Sequence, residues 1–247
     1  MRAEKEEEGD YASKGLRVVT IDGPSGAGKS TIAKTLAKRL GWNHLDTGSM
    51  YRAVTLALLR EKVDLADPES VQAVLDTLDL RLEGGGKVFL GKEEVSQLLR
   101  DPDVENLVSA VSALPAVRAR MKELQRREAL RGPLVAEGRD MGSVVFPDAQ
   151  YKFFLDASPA ERARRRHQDF EAQGLHVPRD KVLAELERRD RLDSTRKDAP
   201  LVRTKDMESV DSTHLGIQEI VDRMVARVRA GLPSGEGPQG SSAGGKP

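Results

Sequence analysis

Gly23-Pro24-Ser25-Gly26-Ala27-Gly28-Lys29-Ser30 stands between two periodicities, and its position there decides the fold. Before it, Leu16 to Ile21 is a short apolar, β-branched run of the kind a buried strand shows. After it, Ile32, Ala33, Leu36, Ala37 and Leu40 recur at helical spacing. Strand, glycine-rich turn and helix in that order make a cradle for phosphate. The glycines let the backbone wrap until successive amide hydrogens point at one centre, and the positive end of the helix dipole adds to the attraction. Lys29 is placed to bridge the β and γ phosphates of a nucleoside triphosphate, and the Ser30 hydroxyl to coordinate Mg²⁺. The predicted triphosphate site is the loop from Gly23 to Ser30 together with Thr31.

Working outward, Gly41 ends the helix, Trp42 to Asp46 predicts a second strand, and Thr47 is placed to cap a helix carrying Ala53, Val54, Ala57 and Leu58. Asp67-Pro68 opens another helix, with Asp as N-cap. The alternation then breaks: Leu80 to Leu82, Gly84-Gly85-Gly86 and Val88 to Leu90 predict a small hairpin, inside an insertion of about residues 63–105. Two helices follow, the second from Pro115, then strands at Pro133 to Ala136 and Tyr151 to Leu155. Ser158-Pro159-Ala160-Glu161 reads as a capping box opening a basic helix, and a further helix runs from about Arg179 to Leu192. The last, Leu215 to Arg229, is expected to pack Ile217, Ile220, Val221, Met224, Val225 and Val228 inward. Short strands alternating with helices imply an α/β fold, a parallel sheet covered on both faces.

The 247 residues suit one domain carrying an insertion, expected over 16–230. Residues 1–15 are charge-rich, and 231–247 are built mainly of Gly, Pro, Ser and other small or polar residues; both ends are expected to lie outside the fold. Lys and Arg number 40 against 40 Asp and Glu, so no global field exists to hold a nucleic acid polymer or an acidic membrane. Cysteine is absent, which excludes disulfide scaffolds and thiolate metal sites. No apolar run approaches a spanning helix, and Met1 to Asp10 are charged where a secretory signal needs an apolar core. The expected compartment is the cytoplasm.

A phosphate loop alone does not choose the reaction. A GTPase needs an Asn-Lys-x-Asp segment, which the chain lacks. A regulatory ATPase acting on a protein partner usually ends an apolar strand in paired acids, whereas Asp156 ends its strand without a neighbouring Glu. Both rivals weaken, and a kinase of a small molecule leads, with a regulatory ATPase as the less favoured alternative. An acceptor hydroxyl would require a base, but a nucleoside monophosphate is already mostly dianionic at neutral pH, its second pKa being about 6. It needs positive charge instead. Arg52, Arg139, Arg189, Arg196 and the run Arg162, Arg164, Arg165, Arg166 supply it, after segments expected near the carboxyl edge of the sheet. Arg164 reads better as part of a solvated helix face.

Asp46-Thr47-Gly48-Ser49-Met50-Tyr51-Arg52, Glu137-Gly138-Arg139-Asp140-Met141-Gly142, Val145-Phe146-Pro147-Asp148-Ala149 and Arg189-Asp190-Arg191-Leu192-Asp193-Ser194-Thr195-Arg196 together closely resemble bacterial cytidylate kinases, over about Leu16 to Arg229. The resemblance implies a parallel-sheet core, a monophosphate-binding insertion with a small antiparallel sheet, and a short lid of about residues 158–200. It implies Mg²⁺-dependent transfer from ATP to CMP or dCMP by a monomer. UMP and AMP stand as alternative acceptors. It further implies that Arg52, Arg139 and Arg196 hold the acceptor phosphate, with Thr47 and Tyr51 beside it, and that Arg189 and Asp193 reach the ribose. Ser109, Arg118 and Asp140 would read the cytosine ring, while Arg162 and Arg166 would close over the donor phosphates beside Lys29. Ser109 and Arg118 also fit an ordinary amphipathic helix, and Thr47 an N-cap. The triple-glycine turn and the long C-terminal tail depart from the family without bearing on chemistry. The four His are scattered without metal-ligand spacing, and the Met residues, Trp42, Phe153 and Phe154 read as packing.

Overall fold

Val18–Asp22 (β1) is buried throughout and sends alternate side chains into two separate cores, because successive residues of a strand point to opposite faces. Val18 joins one core, Val19 and Ile21 the other. Leu134–Gly138 (β6) does the same, with Leu134 and Ala136 on one side and Val135 on the other. In the computed structural model, which describes residues 16–172 and 174–232, these two strands pair in parallel at the centre of a five-stranded sheet. Asn43–Asp46 (β2) flanks β6, while Tyr151–Asp156 (β7) and Glu208–Asp211 (β8) extend the other side, giving the order β2-β6-β1-β7-β8 with every pairing parallel.

Lys29–Leu40 (α1) covers one face through Ile32, Ala33 and Leu36, against Val221, Met224 and Val228 of the last helix. Thr47–Arg60 (α2), Pro68–Asp76 (α3), Pro102–Val111 (α4) and Pro115–Ala129 (α5) cover the other through residues such as Val54, Leu75, Val108 and Met121. Between α3 and α4 lies a small antiparallel sheet of Leu80–Glu83 (β3), Lys87–Leu90 (β4) and Glu93–Glu94 (β5). Val88, Val95 and Leu99 pack there against Ala53 of α2. Pro159–Ala172 (α6) and Arg179–Thr195 (α7) pair over their own cluster of Ala163, Val182 and Leu186. Ile217–Arg229 (α8) closes the fold.

Several expectations need correction. Asp46, not Thr47, caps α2: its carboxylate accepts from Ser49 N at 3.0 Å, leaving Thr47 as the first helical residue. The capping box of α6 is half formed, since Glu161 N donates to Ser158 Oγ at 3.3 Å while Ser158 N turns to Thr213 Oγ1 at 2.9 Å. Helix α7 runs on past Leu192 to Thr195. Ile217 is exposed, not in the core. Strand β8 and a π-helical turn at Met141–Val145 had no expectation, β8 because its sequence Glu-Ser-Val-Asp holds a single apolar residue on an edge strand. Of the C-terminal tail, Leu232 packs against the core; residues 1–15 and 233–247 lie outside the described residues.

Candidate active site

The phosphate loop leaves β1 by a close approach to β7. At Gly23, with φ 152°, a Cβ would lie 1.9 Å from the Leu155 carbonyl oxygen, so only glycine passes. Gly28 caps α1 in the left-handed region at φ 93°. Between them the loop wraps over Lys29, whose Nζ donates to Pro24 O at 2.7 Å. Burial, with Arg139 adding like charge, brings the Lys29 ammonium down to about 7. The next residue faces the neighbouring strand. Ser30 Oγ donates to Glu137 Oε2 at 2.8 Å, and the other Glu137 oxygen lies 3.0 Å from His44 Nε2 on β2. Burial pushes the Glu137 carboxyl up, against the pull of His44.

Asp22 at the end of β1 holds the segment after β6. Its two oxygens accept from Met141 N at 2.8 Å and Gly142 N at 2.7 Å, which fixes the turn that presents Arg139 and Asp140. Arg139 Nε donates to Asp193 Oδ2 at 2.7 Å. Burial would raise Asp193, but the Arg139 guanidinium outweighs it and holds the carboxyl below its ordinary range. Asp140 is buried between two guanidiniums, accepting from Arg118 and, at 3.3 Å, from Arg196. Burial nevertheless raises it. Arg118, buried rather than decorating its helix, also donates to Tyr51 Oη at 3.3 Å. Thr47 Oγ1 donates to Glu137 O at 2.7 Å and so ties α2 to β6.

Helices α6 and α7 reach the body through ion pairs and hydrogen bonds. Arg162 is buried, bonded to Ala157 O, Ser25 O and Asp190. Asp190 in turn accepts from the loop amide Ser25 N at 3.2 Å. Arg165 bonds Ala27 O and Ser212 O, clamping the back of the loop. Arg164 pairs with Glu161 on its own helix, as a solvated face does. Glu105 of α4 gathers Arg52 at 2.7 Å, Arg189 at 2.9 Å and Arg166 at 3.5 Å. Burial would raise its carboxyl, but these guanidiniums hold it down at about 2.

All of this surrounds one cleft of about 830 Å³ at the carboxyl ends of β1, β2 and β6. Ser25, Gly26, Gly28, Lys29, Ser30 and Thr31 line one end; Gly23, Pro24 and Ala27 form the back of the loop. Thr47, Tyr51, Arg52, Ser109, Arg139 and Asp140 line the other end, with Arg166, Arg189, Asp193 and Arg196 from the lid side. Arg118 is bonded to Asp140 and Arg162 to the loop carbonyl of Ser25, and neither lines the cleft. Most of the expected residues thus line one space, while Gly23, Pro24, Ala27, Arg118 and Arg162 do not. Sequence reasoning missed Asp22, Glu137, Glu105 and Asp190, and the stretch from Ser212 to Ile217 that lines the cleft beyond Ile32. Glu137 had a signal, the apolar run Leu134 to Ala136 ending in an acid; Glu105 had none.

The sequence model of the cytidylate kinase family matches residues 19–230. A cytidylate kinase from Pelotomaculum thermopropionicum is 47% identical over 217 residues, covering 86% of this chain and 96% of its own. One from Carboxydothermus hydrogenoformans is 45% identical over 210 residues, covering 84% and 95%. A cleft with a triphosphate loop at one end and paired guanidiniums at the other is thus joined by a match across nearly all the described residues, and the chain belongs to the cytidylate kinase family.

Proposed function

We propose that the chain transfers the γ-phosphate of ATP to CMP or dCMP, giving ADP and CDP or dCDP. The observation that carries this reading is that Lys29 and Ser30 share a single cleft with Arg139, Asp140, Ser109 and Arg196. In the reaction an acceptor phosphate oxygen bonds to the γ-phosphorus while the bond to the β–γ bridging oxygen breaks. No base is needed for a dianionic acceptor, and the described cleft offers guanidiniums in its place. Lys29 follows the charge on the donor phosphates. Arg52, Arg139 and Arg196 orient the acceptor, Arg189 and Asp193 its ribose, and Asp140, Arg118 and Ser109 its base. Ile32 and Ile217 offer an apolar seat beyond the loop for the donor base. Closure of α6 and α7 excludes water, which protects ATP from hydrolysis.

The Ser30 hydroxyl and the Glu137 carboxylate, adjacent at 2.8 Å, form a hard oxygen pair that suits Mg²⁺, whose other ligands are commonly phosphate and water oxygens. These two residues would hold it, and it supplies charge neutralisation on the phosphates. We place the activity in the cytoplasm and take the monomer as the working unit, the latter because one chain lines the described cleft. Among the described residues no helix is long and apolar enough to cross a membrane.

Coupled measurement of ADP release with ATP, Mg²⁺ and CMP, dCMP, UMP or AMP tests the assignment. Turnover is expected with CMP and dCMP. Faster turnover with UMP or AMP would replace the acceptor, and turnover without any acceptor would point to a regulatory ATPase.

A further inference from the structure

Among the carboxylates that pair with arginines around the cleft are Asp140, Asp193, Asp190 and Glu105. The first two face the acceptor base and ribose in the reading above, and Asp190 closes the lid onto the loop. Glu105 has no such role, yet its contacts are the most demanding. One of its oxygens accepts from Arg52 Nε at 2.7 Å; the other meets Arg189 at 2.9 Å and Arg166 at 3.5 Å, with Arg100 3.7 Å from the first. The three close guanidiniums come from α2 and from both lid helices, while Glu105 itself sits on α4 beside the insertion. Its side chain is only 15% exposed. A carboxylate with separate guanidiniums on each oxygen is chemically the arrangement in which arginines hold a phosphate.

We propose that Glu105 is a built-in stand-in for the acceptor phosphate: it occupies the Arg52, Arg166 and Arg189 cluster until an incoming phosphate displaces it. This rests on the placement of the acceptor phosphate at Arg52 proposed above; Arg189, assigned there to the ribose, and Arg166 are Arg52's neighbours on the same carboxylate, so displacing Glu105 frees all three. The consequence is a threshold for binding. Any phosphate entering the cluster must overcome a resident negative charge. Inorganic phosphate has only its own oxygens for the purpose, whereas a nucleotide also gains the contacts to its base and ribose. The penalty is common to both ligands, so it leaves the ratio of their affinities unchanged and instead sets a threshold that a phosphate with no further contacts passes only at high concentration. The rival role, a strut whose charge merely gathers the arginines, makes the opposite prediction, because removing it would scatter the guanidiniums and weaken phosphate binding.

The test is calorimetric titration with inorganic phosphate at fixed ionic strength, with the triphosphate loop filled by saturating ADP. The proteins are the unaltered chain, Glu105→Gln and, as a remote control of the same charge change, Glu128→Gln. Glu105→Gln is expected to bind phosphate about tenfold more tightly, since neutralising one adjacent charge removes its repulsion at close range. CMP binding should tighten by a similar factor, and Glu128→Gln should leave both unchanged. Phosphate binding that is unaltered or weaker in Glu105→Gln overturns the proposal. If that variant does not fold, Glu105→Asp keeps the charge but withdraws it by one methylene, and the same tightening in smaller measure is required. Binding of inorganic phosphate is read without turnover. A failure of the unaltered protein to phosphorylate CMP would therefore defeat the acceptor assignment and not this result.

Discussion

The Ser30 hydroxyl donates to a Glu137 carboxylate oxygen at 2.8 Å, so the phosphate loop is bonded to the strand that carries Arg139 two residues on. The parallel register sets this up. Asp22 lies opposite Gly138 and Ile21 opposite Glu137, which puts the end of β6 level with the start of the loop. His44, opposite Val135 on the far side of β6, fixes the other Glu137 oxygen. A carboxylate held from both sides keeps its rotamer, and a metal ligand held in place binds better than one that must be ordered.

Replacing Glu137 by Gln should therefore lower kcat and raise the Mg²⁺ concentration at half-maximal rate, each by about 10- to 100-fold. Titrating the rate with Mg²⁺ at saturating ATP and CMP measures both. An unchanged Mg²⁺ requirement would remove Glu137 from the metal site.

Lys29 predicts a proton uptake. Its ammonium, brought from 10.5 to about 7 by burial and Arg139, is mostly neutral at pH 8 in the free protein. The triphosphate restores an opposite charge beside it and with it the protonated form. ATP binding at pH 8 should take up a proton, and the uptake should shrink toward pH 6, where Lys29 is already charged. Calorimetry in buffers of different ionisation enthalpy counts the proton. Lys29→Met should abolish the uptake and cut kcat by orders of magnitude; an uptake that persists in the variant would assign it elsewhere.

Asp22 predicts a stability difference of definite sign. Burial raises its carboxyl from 3.8 to about 6, although two backbone amides favour the charged form. Between these values the folded state binds more protons than the unfolded one, so this group's contribution falls as pH rises through the window. The stability advantage of the unaltered protein over Asp22→Asn should be larger at pH 5 than at pH 7, by about 1 kcal/mol. Urea unfolding at the two pH values checks it. An equal difference at both would mean the carboxyl titrates normally.

The fold was legible where local rules and burial agree. The loop between a strand and a helix, the Pro-opened helices and the hairpin around Gly84 to Gly86 all declare themselves by spacing and turn chemistry. Strand β8 did not, because an edge strand pairs on one side and buries little, so Glu-Ser-Val-Asp carries no apolar signature. Ile217 was misplaced for a related reason: it continues the helical spacing of Ile220 and Val221 but falls at the first turn, over the cleft. At the site, the residues that the family resemblance singled out mostly line the cleft, and several of the carboxylates that hold them were not foreseen, even where they stand inside the same motifs. Glu105 acts through a contact 53 residues away in the chain and nothing near it in sequence marks it, while Asp22, which ends the apolar run before the loop, bonds backbone 119 residues away that only the fold brings near.

Cytosine and uracil differ at two adjacent ring positions, and that difference supplies the sharpest prediction. Cytosine offers an amino donor beside a ring-nitrogen acceptor; uracil offers a carbonyl acceptor beside a ring NH. Asp140 is an acceptor in its charged form, and each of its oxygens keeps a lone pair beyond the bonds from Arg118 and Arg196. Arg118 can only donate, and Ser109, which lines the same end of the cleft, can accept. CMP matches all three. UMP would set its carbonyl against the Asp140 carboxylate and its NH against the Arg118 guanidinium. Buried groups left unpaired cost roughly 1–3 kcal/mol each, so two mismatches predict discrimination in kcat/KM on the order of a hundredfold or more. Selection by size could not separate two pyrimidines so well. Ser109→Ala should reduce the ratio several-fold, and Asp140→Asn, whose amide can donate to the uracil carbonyl, should reduce it further. The measurement is kcat/KM for CMP, dCMP and UMP in the three proteins. Comparable values for CMP and UMP in the unaltered chain, or a ratio that neither substitution moves, would place base recognition elsewhere in the cleft.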